Sequence, residues 1–297
     1  MPLTHFFLAL AVVAIWGSNF VVIKGALGEL PPLLLATLRF VFSALPWLLF
    51  VRRPAVAWRH LVAYGTLIGL QFGLLFLAMR QDISPGLASL VIQSQVFMTL
   101  LLVVWLQHER LHPPQLGGLA LATLGFALIA WHSLSGQTQA ITPWGLLLVL
   151  GAALCWALAN LVSRLIGRVN MLGFMVWSSM FAIAPLLALS LWFEGTAGIT
   201  VALPHASWPT WAAVAWQSLG NTLFCFGAWG WLLARHPAAA VTPTALLVPV
   251  FGMGASALFM AEALPGWKLG AAALVLGGLA ITVAGSRRRL PPLPRSA

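Results

Sequence analysis

Charge is the scarcest commodity in this sequence. Aspartate and glutamate number five in 297 residues, and charged residues make up 7% of the chain against 61% hydrophobic. Soluble domains carry roughly 25% charged residues. A water-exposed surface cannot be assembled from so few, so the apolar surplus has to face lipid. No acidic residue lies in the middle of an apolar run, and the seven histidines (5, 60, 108, 112, 132, 205 and 236) all fall at or near run ends. That leaves no obvious proton relay of the kind proton-driven carriers bury. It also removes the histidine that an intramembrane serine protease would need at depth, and the clustered ligands that a metal-dependent membrane enzyme would need. The cysteines, Cys155 and Cys225, sit in apolar runs with no CxxC and no neighbouring ligands, which reads as packed, reduced thiol rather than a metal or redox site. No cofactor is implied. The first ten residues lack the basic n-region of a secretory signal, so they read as part of a first helix.

What charge there is has a strong bias. The net charge of +10 comes from lysines and arginines in short connections and at the C-terminus, not from a basic face interleaved with aromatics. Nucleic-acid binding is therefore not expected, whereas topology and anionic headgroups account for the arginines.

Crossing about 30 Å of hydrocarbon takes about 20 helical residues. Apolar runs of that length fall at 5–27, 33–51, 60–79, 86–106, 114–131, 143–163, 171–193, 208–234, 238–260 and 266–285, separated by turn chemistry such as Pro31-Pro32, Ser84-Pro85-Gly86, Pro113-Pro114 and Pro265-Gly266. With the N-terminus placed in the cytoplasm, the cytoplasmic connections and tail hold eleven basic residues and the opposite side holds two, Arg80 and Lys268. The positive-inside rule then puts both termini in the cytoplasm.

The halves repeat. Residues 87–129 align with 240–282 at a constant offset of 153, pairing Glu109 with Glu262, Leu116 with Leu269, Gly117 with Gly270 and Gly125 with Gly278. Trp16-Gly-Ser-Asn19 has a looser echo in Trp156-Ala-Leu-Ala-Asn160. Five helices per half is an odd number, so the second half enters the membrane upside down. The expected architecture is an all-α membrane protein of ten transmembrane helices in two inverted five-helix repeats, 1–135 and 140–286, followed by a basic cytoplasmic tail over 287–297. Inverted repeats of this kind carry substrate near the midplane between the halves.

Polar side chains inside apolar spans are costly and usually face a partner or a wet cavity. Asn19, Gln71, Ser89, Gln93, Gln95, Asn160, Gln217, Asn221 and Thr222 are the candidates. Ser89 with Gln93, and Gln217 with Asn221, are four apart and would share a helix face. Neutral amides donate to a carboxylate and accept from an ammonium, which suits a zwitterion; interhelical hydrogen bonding is the competing role. Arg39 offers a fixed fork for a carboxylate or for a helix C-terminus, while Lys24 is placed to snorkel. Trp16, Trp156 and Trp229 lie deeper than the other tryptophans and are candidates to line a cavity. Gly65, Gly69 and Gly73 form a small-residue stripe suited to close helix contact, and Pro243 and Pro249 are placed to interrupt the ninth span.

The segments WGSNFVVIK (16–24), PPLLLATLRF (31–40), GLASLVIQSQVFMTLLL (86–102), ERLHPPQLGGLAL (109–121) and ALLVPVFGMGASALFMAE (245–262) together resemble the EamA-type proteins of the drug/metabolite transporter superfamily, and within them the group of O-acetylserine/cysteine exporters. The resemblance is weakest around 132–142 and 194–210. It implies a multi-pass protein of the bacterial inner membrane, exporting amino-acid metabolites of the O-acetylserine and cysteine kind by alternating access. Its implied partners are a small-molecule substrate and the bilayer; monomer and dimer both stay open. Where that group tends to carry tyrosine in the eighth helix, this chain has Phe226, which removes a hydroxyl from an expected cavity position. A carrier for a drug, a nucleobase or an aromatic amino acid is the alternative, with an intramembrane enzyme a remote one.

Overall fold

The computed structural model describes residues 1–107, 111–136, 138–167 and 169–287. Among them there is no strand beyond an isolated bridge between Ile83 and Ile141. The helices are α1 (Leu3–Ala26), α2 (Pro32–Ala44), α3 (Trp58–Gln81), α4 (Pro85–Val91), α5 (Ser94–Gln107), α6 (Pro113–Leu134), α7 (Pro143–Ile166), α8 (Met171–Phe193), α9 (Gly195–His205), α10 (Trp208–Ala215), α11 (Cys225–Arg235), α12 (Ala238–Val241), α13 (Val248–Met260) and α14 (Gly266–Arg287). A π-helical segment, Trp216–Phe224, joins α10 to α11, and a 3₁₀ segment, Thr242–Leu247, leads into α13.

Eight stretches are long and apolar enough to cross a membrane: α1, α3, the α4–α5 pair, α6, α7, α8, the 3₁₀–α13 stretch and α14. The chain is therefore a multi-pass membrane protein. Helix α2 is apolar but shorter. The sequence pattern suggests a span to residue 51, yet the regular helix stops at Ala44: Leu45 still bonds back to Val41 O, but Pro46 has no N–H to continue the ladder. The chain goes on as turns, with Leu48 N donating to Ala44 O and Val51 N to Trp47 O. Helix α9 is the other surprise; it occupies 195–205, read as a connection, and buries none of its residues.

Proline and short polar caps start these helices. Proline occupies the first turn of α2, α4, α6 and α7, where a missing N–H costs nothing. Thr142 and Asn170 accept from Gly145 N and Gly173 N at the heads of α7 and α8.

Glycine then decides which helices meet closely. A Cβ at Gly65, Gly69 or Gly73 of α3 would fall on Ser178, Ala182 or Leu186, successive turns of α8. Gly118 and Gly125 of α6 lie as tightly on Gly278 and Val275 of α14. Without a hydrophobic force between helices in lipid, such close approach is what dispersion needs to hold them together. The other main packing pairs are α1 with α13, α5 with α7, α3 with α7 and α2 with α8. Glu109 and the tail residues 288–297 lie outside the described residues.

Candidate substrate-binding site

The interruptions in the long helices surround one cavity of about 330 Å³. It collects residues from α1 (Trp16, Asn19), α2 (Arg39), α3 (Tyr64, Gln71, Phe72), the α4–α5 junction (Gln93, Gln95), α7 (Trp156), α8, the π segment (Asn221, Thr222) and α11 (Phe226, Trp229). Its walls are mostly apolar, and Arg39 is the one charged residue among those that line it.

Arg39 is 1% exposed. Its Nη2 donates to Thr222 Oγ1 at 3.0 Å, and its Cζ lies over the Phe72 ring, 3.7 Å from the centroid. Nε and Nη1 meet no hydrogen-bond acceptor among the described residues. A buried guanidinium has lost its water and recovers that cost only through an anion or several acceptors. Here part of the fork is held by Thr222 and Phe72 while the rest points at no protein partner. Asn19 Oδ1, a buried acceptor, is likewise without a partner. The lining thus carries free donors and a free acceptor together.

The π segment explains how Thr222 comes to face Arg39. Thr222 Oγ1 also donates to Gln217 O, five residues earlier, and Ser218 Oγ donates to Arg39 O at 3.0 Å, so α2 and the widened turn are stitched together. Wide turns of this type recur at functional sites. On the other wall Trp16 Nε1 donates to Asn221 O, and the Trp16 ring lies 5.5 Å from Phe226 and 5.1 Å from Trp229, centroid to centroid.

Eleven of the fourteen sequence candidates line this cavity: Trp16, Asn19, Arg39, Gln71, Gln93, Gln95, Trp156, Asn221, Thr222, Phe226 and Trp229. Ser89, Asn160 and Gln217 do not. Asn160 stands behind the wall, donating to Gln95 Oε1 at 2.8 Å and to Thr99 Oγ1 at 3.2 Å, which turns the Gln95 amide. Ser89 donates to Gly86 O and packs where a Cβ of Gly252 would be. Gln217 is fully buried, and its side chain has no described partner. In each pair spaced by four only one member, Gln93 or Asn221, lines the cavity; Gln93 lies in the break between α4 and α5, where regular periodicity ends. Tyr64 and Phe72 were missed because an aromatic in an apolar span carries no polar signal. Lys24 Nζ caps α3, donating to Met79 O and Arg80 O at 2.8 and 2.9 Å. Cys155 and Cys225 are free thiols.

Comparison with known proteins fits this geometry. The chain is 41% identical over 288 residues to a protein of Salmonella typhimurium strain LT2 named "Probable amino-acid metabolite efflux pump", covering 95% of this chain and 96% of that one. A protein of the same name from Escherichia coli strain K12 is 40% identical, covering 95% of each. A solved crystal structure 20% identical to this chain superposes over 97% of this chain and 99% of the other with a TM-score of 0.60, a likeness of fold. The EamA-like transporter family model matches twice, over residues 3–131 and 143–284. With both halves matched, the chain belongs to the EamA-like transporter family and is a membrane transporter.

Proposed function

We propose that this transporter exports small amino-acid metabolites, of the O-acetylserine and cysteine kind, across the bacterial inner membrane by alternating access. The observation that carries the reading is Arg39, buried in an apolar cavity with Nε and Nη1 free. A carboxylate is the group that matches a planar fork in both charge and shape. Asn19 Oδ1 offers an acceptor for the substrate's nitrogen, and Trp16, Trp156, Phe226 and Trp229 supply apolar and π surface for the remainder.

The architecture proposed for this cycle is ten transmembrane helices in two inverted repeats, 1–135 and 140–286, with both termini cytoplasmic. In this scheme α2, with the turns after it, and the continuous run α10–π–α11 add two spans to the eight. Packing supports the inversion. Exchanging each span for the one five places on turns the α5–α7 contact into α13–α1, and leaves the α6–α14 and α2–α8 contacts as they were. The two separate family matches support it as well. The eleven-to-two distribution of basic residues supports the orientation.

The aromatic walls favour a second reading, an EamA-type carrier for an aromatic amino acid. Uptake into inside-out vesicles separates the two. Labelled O-acetylserine and cysteine should accumulate with wild type and not with Arg39→Gln, and unlabelled tryptophan or phenylalanine should compete weakly. Strong competition by the aromatic amino acids, with no uptake of the small ones, would reverse the assignment.

A further inference from the structure

Every carboxylate among the described residues lies at one end of the molecule and reaches into the other half of the chain. Glu29, just past α1, accepts from Ser207 N at 2.6 Å and Ser207 Oγ at 2.8 Å, at the head of α10. Asp82, after α3, accepts from Thr142 Oγ1 at 2.8 Å, at the head of α7. Glu194, after α8, accepts from Leu33 N at 2.6 Å and Leu34 N at 3.0 Å in the first turn of α2. Glu262, after α13, accepts from Ser84 Oγ at 2.5 Å and Gly86 N at 3.0 Å, at the head of α4. Lys24 brings the ends of α1 and α3 side by side, so the four contacts share one face of the protein.

The opposite face is built differently. The described polar contacts between halves there, among them His5 Nδ1 with His236 Nε2 at 2.7 Å, Trp177 Nε1 to Val51 O at 2.9 Å and Tyr64 Oη to Met175 Sδ at 4.0 Å, involve no carboxylate. The cavity reaches from mid-depth towards that face. Beside mid-depth residues such as Phe20, Leu75 and Gln93 it takes Tyr64 of α3, Met175 of α8, Thr242 of the 3₁₀ segment, Trp229 of α11 and Val283 of α14, which lie away from the carboxylates.

We propose that the four carboxylate contacts are the gate at the outer end of the transporter, and that export requires them to part. This rests on the alternating-access reading above. Charge-assisted hydrogen bonds are about twice as strong as neutral ones, and a helix N-terminus attracts an anion through its free N–H groups and its dipole. Each contact therefore holds a carboxylate of one half against a helix head of the other. Their position at the water interface makes the gate reversible, because both partners regain water when the halves separate. A carboxylate buried at mid-depth would have no such exchange.

The test uses full-length protein with Cys155→Ala and Cys225→Ala, carrying Ser179→Cys in the cavity wall as reporter, in right-side-out vesicles. A membrane-impermeant thiol reagent added outside should label the reporter about fivefold faster or more when Glu29→Gln and Glu262→Gln are combined, the shift expected from ~1 kcal/mol of lost latching. The same rate in variants that express and melt like their parent would overturn the gate. As a second measurement, Glu29→Cys and Ser207→Cys are bridged with a bifunctional methanethiosulfonate. Efflux should fall about tenfold and return on reduction, as for an equilibrium moved by ~1.4 kcal/mol. Undiminished efflux through a fully bridged protein would overturn the gate and leave the exporter reading standing. Faster labelling with no efflux of amino-acid metabolites by the unbridged parent would sink the exporter reading and uphold the gate.

Discussion

Replacing Arg39 by glutamine removes the one charge lining the cavity while keeping a hydrogen-bonding side chain of moderate length. A carboxylate seated on one edge of the guanidinium, on Nε or Nη1 together with the second hydrogen of Nη2, would make charge-assisted hydrogen bonds worth about 1.5–3 kcal/mol each. Losing two of them amounts to about 3 kcal/mol at the low end, or roughly a hundredfold in affinity. Breaking a buried pair one-sidedly costs about 3–5 kcal/mol, which extends the expected loss to several thousandfold. Arg39→Lys keeps the charge but loses the planar fork over Phe72, so it should fall between the two. The assay is binding of labelled O-acetylserine to purified protein, with its methyl ester as comparison. Wild type should prefer the acid by about the factor the glutamine variant loses, and the variant should scarcely distinguish acid from ester. Because the substitution also removes a buried charge that no lining carboxylate offsets, the empty variant should melt no lower than wild type. A well-folded Arg39→Gln protein that still prefers the acid a hundredfold would refute carboxylate recognition by this residue.

Three further outcomes are expected. Gly65→Val would drive a side chain into Ser178 and Phe181 of α8, so the melting temperature in detergent should fall by an amount matching about 1–3 kcal/mol; an unchanged melt would mean the α3–α8 contact is looser than described. Asn160→Ala leaves the Gln95 amide unheld and should weaken substrate binding about two- to tenfold without altering the acid-to-ester preference, whereas a changed preference would place Asn160 in direct contact with the substrate. Burial pushes the Glu262 carboxyl up, but hydrogen bonds from Lys268, Ser256, Ser84 and Gly86 N outweigh it and hold its pKa below the usual value. A carboxyl depressed on folding contributes stability that is present above its unfolded pKa, about 4.3, and lost as the pH falls through the folded value. Wild type should therefore lose stability more steeply than Glu262→Gln below about pH 4.3, and parallel melting curves would contradict this.

The sequence was most informative where the bilayer constrains it. Every span must be long, apolar and hydrogen-bonded within itself, so the apolar runs and the proline-marked breaks between them locate most of the long helices to within a few residues, α2 and α9 excepted. Arg39 was legible for the same reason, since a charge inside an apolar run is too costly to be idle. The glycine stripe on α3 could be read from spacing alone, and α8 is the partner that spacing could not name. What escaped was local irregularity. Pro46 ended α2 early, the π segment widened the helix that carries Gln217, Asn221 and Thr222, and a break before Ser94 put Gln93 outside both α4 and α5. Periodicity assumes a regular helix, and the polar residues concentrate where the helix is not regular. Glu262 could be read as a residue that caps a helix junction, but the partners of the carboxylates could not, because they are hydroxyls and backbone N–H groups from distant segments.

The most direct test of the account is accumulation of labelled O-acetylserine by inside-out vesicles containing this protein, with the corresponding methyl ester and Arg39→Gln as controls. The account predicts saturable uptake that unlabelled O-acetylserine and cysteine suppress, that the ester leaves untouched, and that the variant loses. Equal suppression by acid and ester, or uptake that survives in a folded Arg39→Gln protein, would contradict it.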